Sequence, residues 1–167
     1  MPELELAVSA TTREQRPGEE HGVHYWFFDE REFDRLLAED GFLEHVEFPW
    51  GQRSGTLWSE LDRIAANGRT PLLELEPQGA RAVQERVPAA VTIFITAPTF
   101  EELERRLRER ATESAGEIDE RLGLARKQLE QAGEFDYAVV NDDVARAAAE
   151  LTGLVNRELA AAGTMAP

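Results

Sequence analysis

The sequence contains no cysteine, no long apolar run and little basic charge, and each absence excludes a class of protein. Without cysteine there are neither disulfide bonds nor thiolate zinc sites, which agrees with a reducing cytoplasm. A helix that crosses a membrane needs about 18 or more consecutive apolar residues, and the sequence has no such run. The formal net charge of −15 argues against nucleic-acid and anionic-membrane surfaces, which need a basic field. We therefore expect a cytoplasmic protein without a nucleic-acid or membrane partner.

The spacing of apolar residues predicts an α/β fold in a chain of 167 residues, the length of one domain. In the second half, strand patterns at residues 71–76, 91–95 and 137–140 alternate with helical patterns, which favours a parallel sheet. The first half has short strand patterns around a polar loop and is expected to lie over the edge of that sheet. Thr56 is expected to cap a helix that stops at Gly68.

The polar loop of residues 9–22 has the composition of a phosphate site. Arg13 and Arg16 are three residues apart, hydroxyl residues precede them, and Tyr25 follows. The planar fork of arginine matches phosphate oxygens, and hydroxyl groups complete such a shell. The residues alone also allow an ordinary solvated loop.

The order of these residues resembles a known family. The string S-x-T-T-R-x-x-R-x-G-E followed by G-x-x-Y, here Ser9 to Tyr25, closely resembles the GMP-phosphate loop of guanylate kinases, in the nucleoside monophosphate kinase group. Further matching segments follow in register: Phe42-Leu43-Glu44, Gly55-Thr56, Leu73-Glu74, Gln78 to Arg81, Phe94 to Pro98 and Phe135 to Asp143. The resemblance therefore covers nearly the whole chain.

The resemblance assigns a GMP site to seven residues: Ser9, Arg13, Arg16, Tyr25, Glu44, Thr56 and Glu74. The first four would hold the phosphate. Glu44 would accept hydrogen bonds from guanine N1 and the exocyclic amine, as a carboxylate can. Thr56 would lie near the base and Glu74 at the end of a strand facing the nucleotide. Taken singly, Glu44 also fits a solvated charge at a helix end, and Thr56 a helix cap.

A second group of arginines lies in residues 104–121. By resemblance, Arg106, Arg110 and Arg121 belong to a helical lid and reach the phosphates of both nucleotides, where they would be catalytic because phosphoryl transfer depends on neutralising charge. Glu and Arg alternating at helical spacing also describe a salt-bridged surface. The resemblance divides a single domain, 1–167, into a GMP-binding part (9–70), a core (71–100 and 134–160) and the lid with its adjoining helix (101–133).

The family's phosphate-binding loop for ATP is missing from these residues. The family places a strand, G-x-x-x-x-G-K-[ST] and a helix before the matched region, and this loop holds the phosphates of Mg-ATP. No such motif occurs here, so the ATP site implied by the resemblance has no counterpart in this chain, and we expect the chain alone to lack kinase activity. Because the missing strand is central to the family's sheet, its loss would leave two unpaired strand edges, and we expect a truncated start in preference to a degenerate relative. Ser54, where the family usually has a phosphate-binding tyrosine, is a smaller departure.

Two functions are compatible with these features. The first is guanylate kinase activity, ATP + GMP giving ADP + GDP, with GMP as the bound partner. The second is a non-catalytic module that binds GMP or a phosphorylated protein segment through Arg13, Arg16 and Tyr25. A misfolding fragment without function is the third alternative, and the sequence leaves a homo-oligomer open.

Overall fold

A computed structural model describes residues 1–109 and 115–164 of the chain. It has an α/β fold, as the sequence predicts, and divides into two compact units, Met1–Ala90 and Val91–Pro167. Each unit has its own hydrophobic core. Within the described residues, no helix combines the length and apolar character that a membrane-crossing segment needs.

The first unit contains six strands and three helices. The strands are β1 (Leu4–Leu6), β2 (Ala10–Thr11), β3 (Trp26–Phe27), β4 (Phe42–Glu47), β5 (Arg53–Leu57) and β6 (Thr70–Leu72). The helices are α1 (Glu30–Ala38), α2 (Trp58–Ala66) and α3 (Pro77–Arg86). Strands β1 and β6 pair in parallel, and a separate four-stranded mixed sheet has the order β3-β2-β5-β4.

One face of the four-stranded sheet packs against α1 and forms the core of the first unit. Ala10, Phe33, Phe42 and Leu57 are buried together there, with the Phe33 and Phe42 rings 4.5 Å apart. Helix α1 begins where the Asp29 side chain accepts a hydrogen bond from the third residue on, which satisfies one of the free N–H groups of the first turn. The opposite face of the sheet carries the side chains that alternate along the strands with these core residues.

Glu60 of α2 is bonded to β3 and to the segment between β1 and β2. Its carboxylate is 3% exposed and accepts hydrogen bonds from the Val8 backbone N–H at 3.0 Å and from Trp26 Nε1 at 3.3 Å. Arg63, one turn further along the helix, supplies the opposite charge at 2.8 Å. Although burial opposes ionisation, these donors lower the pKa of Glu60 overall. Glu60 therefore fixes the chain on both sides of β2.

The structure corrects three expectations for the first unit. Thr56 lies inside β5 and caps no helix; α2 starts after Leu57, which makes no side-chain cap. The strand expected over 71–76 is limited to β6, and the backbone from 73 to 76 has no regular structure. The loop expected over 9–22 contains β2, which is a strand because β3 and β5 bond to both of its edges.

The second unit contains β7 (Ile93–Thr96), α4 (Phe100–Glu109), α5 (Ala115–Leu129), β8 (Tyr137–Val140) and α6 (Val144–Thr164). Strands β7 and β8 are parallel in register, and α6 covers Val139 with Ala147 and Leu154. Among the described residues, β6 bonds only to β1 and β7 only to β8, so each has one free edge. Ile95 of β7 is 53% exposed.

Candidate nucleotide-binding site

Four of the predicted site residues form one row across the sheet of the first unit. Glu44 of β4 pairs with Thr56 of β5. Ala10 of β2 pairs with Gly55 on one side and Trp26 on the other, so the same registers continued by one residue place Ser9 between Thr56 and Tyr25. Residues directly opposite one another across strands share a face of the sheet. Three strand spacings of about 4.8 Å make the row about 14 Å long.

A β-bulge in β4 brings Glu44 to this face. Phe42 pairs with Leu57 and Glu44 with Thr56, so two residues on β5 face three on β4 and Leu43 is the extra residue. In a regular strand Phe42 and Glu44 would share a face, because side chains alternate with period two. The bulge separates them. Phe42 enters the core, and Glu44 joins the row.

The Glu44 carboxylate is buried, and few hydrogen bonds from the protein offset the cost of burying its charge. It is 4% exposed, and the Thr56 hydroxyl donates to Oε1 at 2.8 Å. Burial raises the pKa of Glu44 above its ordinary value of 4.5, against the opposing effect of the Thr56 hydrogen bonds. A carboxylate has about four acceptor positions, so this one retains capacity for two further N–H donors. A ligand that offered them would offset the cost of burying the charge.

Gly79 of α3 closes the far side of Glu44. A Cβ at position 79 would lie 2.7 Å from Glu44 Oε2, closer than ordinary contact allows. Because the sheet and Thr56 hold the other side of the carboxylate, any larger residue at 79 would have to displace it. The lack of a side chain at Gly79 is therefore part of what shapes the site.

For a site that binds GMP as the resemblance implies, replacement of Gly79 by alanine is expected to weaken binding about tenfold, equal to about 1.4 kcal/mol, because the displaced carboxylate loses the geometry of one charge-assisted hydrogen bond. The matched control is Gly123→Ala in α5, where a Cβ meets no atom within 4 Å. Calorimetric titration measures both variants. Unchanged GMP affinity in Gly79→Ala would show that this contact does not shape the site.

At the other end of the row, Arg13 is held by a carboxylate and two rings. Nη1 and Nη2 donate to Glu19 at 3.0 and 2.7 Å, and the guanidinium carbon lies 5.3 Å from the centre of the Tyr25 ring and 5.5 Å from that of Phe27. Nη1 also donates to the Glu14 carbonyl at 2.7 Å. Within residues 1–109 and 115–164, Nε has no hydrogen-bond acceptor, so the Nε side of the fork remains available for an anion.

Glu19 organises the loop around Arg13. In addition to the two hydrogen bonds from the Arg13 guanidinium group, Glu19 accepts one from the Arg16 backbone N–H at 2.7 Å. The bonds from Arg13, followed by that from the Arg16 backbone, lower the pKa of Glu19 to about 2. The carboxylate therefore stays ionised at every physiological pH and keeps the Arg13 fork in place. The sequence string includes Glu19, but its role required the structure.

The remaining predicted residues belong to other segments of the chain. Arg16 and Glu74 are exposed in the first unit, on the phosphate loop and between β6 and α3. Arg106, in α4 of the second unit, donates to Glu102 and to the Asn141 carbonyl at 2.7 and 2.8 Å. Arg121 lies in α5, and Arg110 lies outside the described residues. The roles assigned to these residues stay predictions.

Ser54, the departure from the family pattern, forms a hydrogen bond to the backbone of the neighbouring strand. Its hydroxyl donates to the Ala10 carbonyl at 3.0 Å and so ties β5 to β2. This bond supports the row from within the sheet. A hydroxyl so engaged does not replace the phenol that the resemblance leads one to expect there.

The residues present do not fit the phosphates of Mg-ATP. Lys127 is the sole lysine of the chain, and Leu122 to Arg126, which precede it, lie with it in α5 and form no glycine-rich loop. In the part of the chain that the structure describes, no group of three or more His, Asp or Glu side chains could hold a metal ion. We therefore derive no chemical step through ATP or magnesium.

Comparison with known proteins confirms the family resemblance of the sequence. A family model described as guanylate kinase matches residues 3–158. The chain belongs to the guanylate kinase family. It is 46% identical over 154 residues to the guanylate kinase of Leifsonia xyli, covering 92% of this chain, and it spans 61% of that relative's length. It is 44% identical to that of a Synechococcus strain, covering 93% of this chain and 81% of the relative.

A solved structure resembles this one. The guanylate kinase from Anaplasma phagocytophilum superimposes with a TM-score of 0.78 at 31% sequence identity, covering 93% of this chain and 76% of that one. The likeness extends through both units of the chain.

Proposed function

We propose that this member of the guanylate kinase family binds GMP in the row Tyr25–Ser9–Thr56–Glu44, in the orientation that phosphorylation to GDP requires. The observation that carries the proposal is the arrangement of the row. A buried acceptor with unused capacity, Glu44, stands at one end, and an arginine fork with a free side, Arg13, stands at the other.

The roles within the row follow from the chemistry of GMP. Guanine offers an N1–H and an exocyclic amine side by side, and the Glu44 carboxylate accepts both. Thr56 keeps the carboxylate turned by its hydrogen bond. At the other end, the phosphate dianion takes the Nε side of Arg13, with Ser9 and Tyr25 as neutral donors and Arg16 as a second positive charge. Fixing both ends of the acceptor orients the phosphate for attack, which is the main contribution of a protein to phosphoryl transfer.

A second function is non-catalytic binding of GMP or of a phosphorylated protein segment. It is favoured by one observation, that these 167 residues contain no glycine-lysine loop for ATP phosphates. The Arg13 end of the row would serve this function without the Glu44 end. Affinity for a phosphopeptide together with indifference to guanine would indicate binding of a phosphorylated segment in place of GMP.

Two measurements on the purified chain test the proposal. Calorimetric titration with GMP, IMP and a phosphoserine peptide gives affinities, and a coupled assay with Mg-ATP and GMP detects GDP. Preference for GMP over IMP supports the proposed GMP site. Because the residues present do not fit Mg-ATP, no GDP is expected from this chain alone, and GDP formation would contradict that conclusion. A folded chain, shown by a cooperative melt, that binds the peptide and both nucleotides equally, or binds none of them, would contradict the proposed GMP site.

A further inference from the structure

Arg86, the last residue of α3, reaches back to β4. Its Nη1 donates to the carbonyl oxygens of Phe42 at 2.7 Å and Leu43 at 3.1 Å. Its Nη2 donates to both carboxylate oxygens of Asp40, at 3.0 and 3.1 Å. The guanidinium carbon lies 5.1 Å from the centre of the Trp58 ring. Carboxylate, carbonyls and ring together fix the position of the guanidinium group.

The two carbonyls that Arg86 contacts flank the bulge. A bulge interrupts the ladder of hydrogen bonds between strands and leaves its extra residue, here Leu43, without a partner strand. Backbone carbonyls in such a place need a donor from elsewhere. Arg86 supplies it to both. A shift of one residue in the pairing of β4 would turn Glu44 from the row to the core face.

The same face of α3 also contacts the Glu44 side chain. Gly79 and Arg86 are seven residues apart in this helix, close to two full turns, and so lie on one side of it. Ala80 and Val83, which lie between them on that side, are buried. The helix thus meets β4 twice, at the Glu44 carboxylate through Gly79 and at the bulge through Arg86.

We propose that Arg86 is a positioning residue that sets the preference for guanine by holding the β4 bulge and with it the Glu44 carboxylate. This inference rests on the proposed GMP site. GMP and IMP differ only in the exocyclic amine of the base, so the ratio of their affinities reports how well Glu44 is placed to accept from that amine. Arg86 touches neither the base nor the phosphate in this scheme.

The test compares GMP and IMP affinities, by calorimetry, in Arg86→Met, Arg86→Lys and Arg35→Met. In Arg86→Met, which keeps the apolar stem over Trp58 but removes every donor, the ratio of GMP to IMP affinity is expected to fall about tenfold, the effect of one misplaced charge-assisted hydrogen bond. IMP affinity is expected to fall less than GMP affinity, because IMP keeps its phosphate contacts and has only the N1–H hydrogen bond to Glu44 to lose. Among the residues that the structure describes, Arg35 makes only exposed ion pairs on α1, and its variant should keep the wild-type ratio.

The lysine variant keeps the inference testable if Arg86→Met does not fold. A single lysine ammonium group cannot donate to both carbonyls and to the Asp40 carboxylate at once. The ratio of GMP to IMP affinity in Arg86→Lys is therefore expected to lie between those of the wild type and the methionine variant. A folded Arg86 variant with the wild-type ratio would overturn this inference while leaving the GMP site standing. A wild-type chain that binds GMP and IMP equally would instead overturn the proposed site, and this inference with it.

Discussion

Replacement of Glu44 by glutamine is expected to lower GMP affinity about 100-fold, or about 2.7 kcal/mol, and to bring the GMP and IMP affinities close together. The carboxylate is the one acceptor in the row that can take both N–H groups of guanine, and a hydrogen bond to a charged group contributes about 1.5–3 kcal/mol. Glutamine keeps the shape and an oxygen for Thr56, but its amide group opposes the guanine amine. Calorimetric titration with both nucleotides measures the change.

The stability of the Glu44→Gln variant provides its own control. Because the folded-state pKa of Glu44 is raised, folding favours the protonated carboxyl. The favourable contribution of that form is fully present below the ordinary value of 4.5 and is lost as the pH rises through the raised folded value. At pH 7 the neutral glutamine variant should therefore resist urea at least as well as the wild type, and this difference should disappear below the ordinary pKa. If Glu44→Gln binds GMP as tightly as the wild type does, Glu44 does not contact the base.

Replacement of Arg13 by lysine is expected to weaken GMP binding about 30- to 100-fold while leaving the much weaker binding of guanosine unchanged. The guanidinium group can hold Glu19 with one side and a phosphate with another, whereas an ammonium group is a point charge without a fork. Competition between labelled GMP and unlabelled nucleotides gives the two affinities.

The matched control for Arg13 is Arg35→Lys on α1, whose partners Glu32 and Glu39 are exposed. Exposed ion pairs contribute about 0–1 kcal/mol, so this variant should bind both compounds like the wild type. Equal losses for GMP and guanosine in Arg13→Lys would place the effect of Arg13 on the fold of the loop and not on the phosphate.

The sequence predicts elements whose periodicity is local. Strands β7 and β8 and helix α2 lie within a few residues of where apolar spacing puts them. Strand β5 was missed because Arg53, Ser54 and Gly55 have low strand propensity, and it is a strand because β2 and β4 bond to both of its edges. The misplaced cap at Thr56 has the same origin, since a threonine before an apolar helical pattern looks like a cap until the strand is known.

The candidate site was partly predictable for a similar reason. The motif order identifies Ser9, Tyr25, Glu44 and Thr56 as one group, but their alignment in a row depends on strand pairing and on a bulge that no local pattern reveals. In the sequence, Phe42 to Glu44 is two apolar residues followed by an acidic one, and nothing in this order indicates a bulge. Arg86 lies more than forty residues from the carbonyls it contacts, and so only the folded chain shows its role.

The orientation of GMP along the row can be measured directly by two-dimensional ¹H–¹⁵N NMR of the chain titrated with GMP and, separately, with guanosine. We expect both compounds to shift the amide signals of Glu44, Thr56 and Gly79. GMP alone should shift those of the phosphate loop between Ser9 and Tyr25. Shifts confined to the second unit, or the reverse pattern with the phosphate effect at Glu44, would contradict the proposed site.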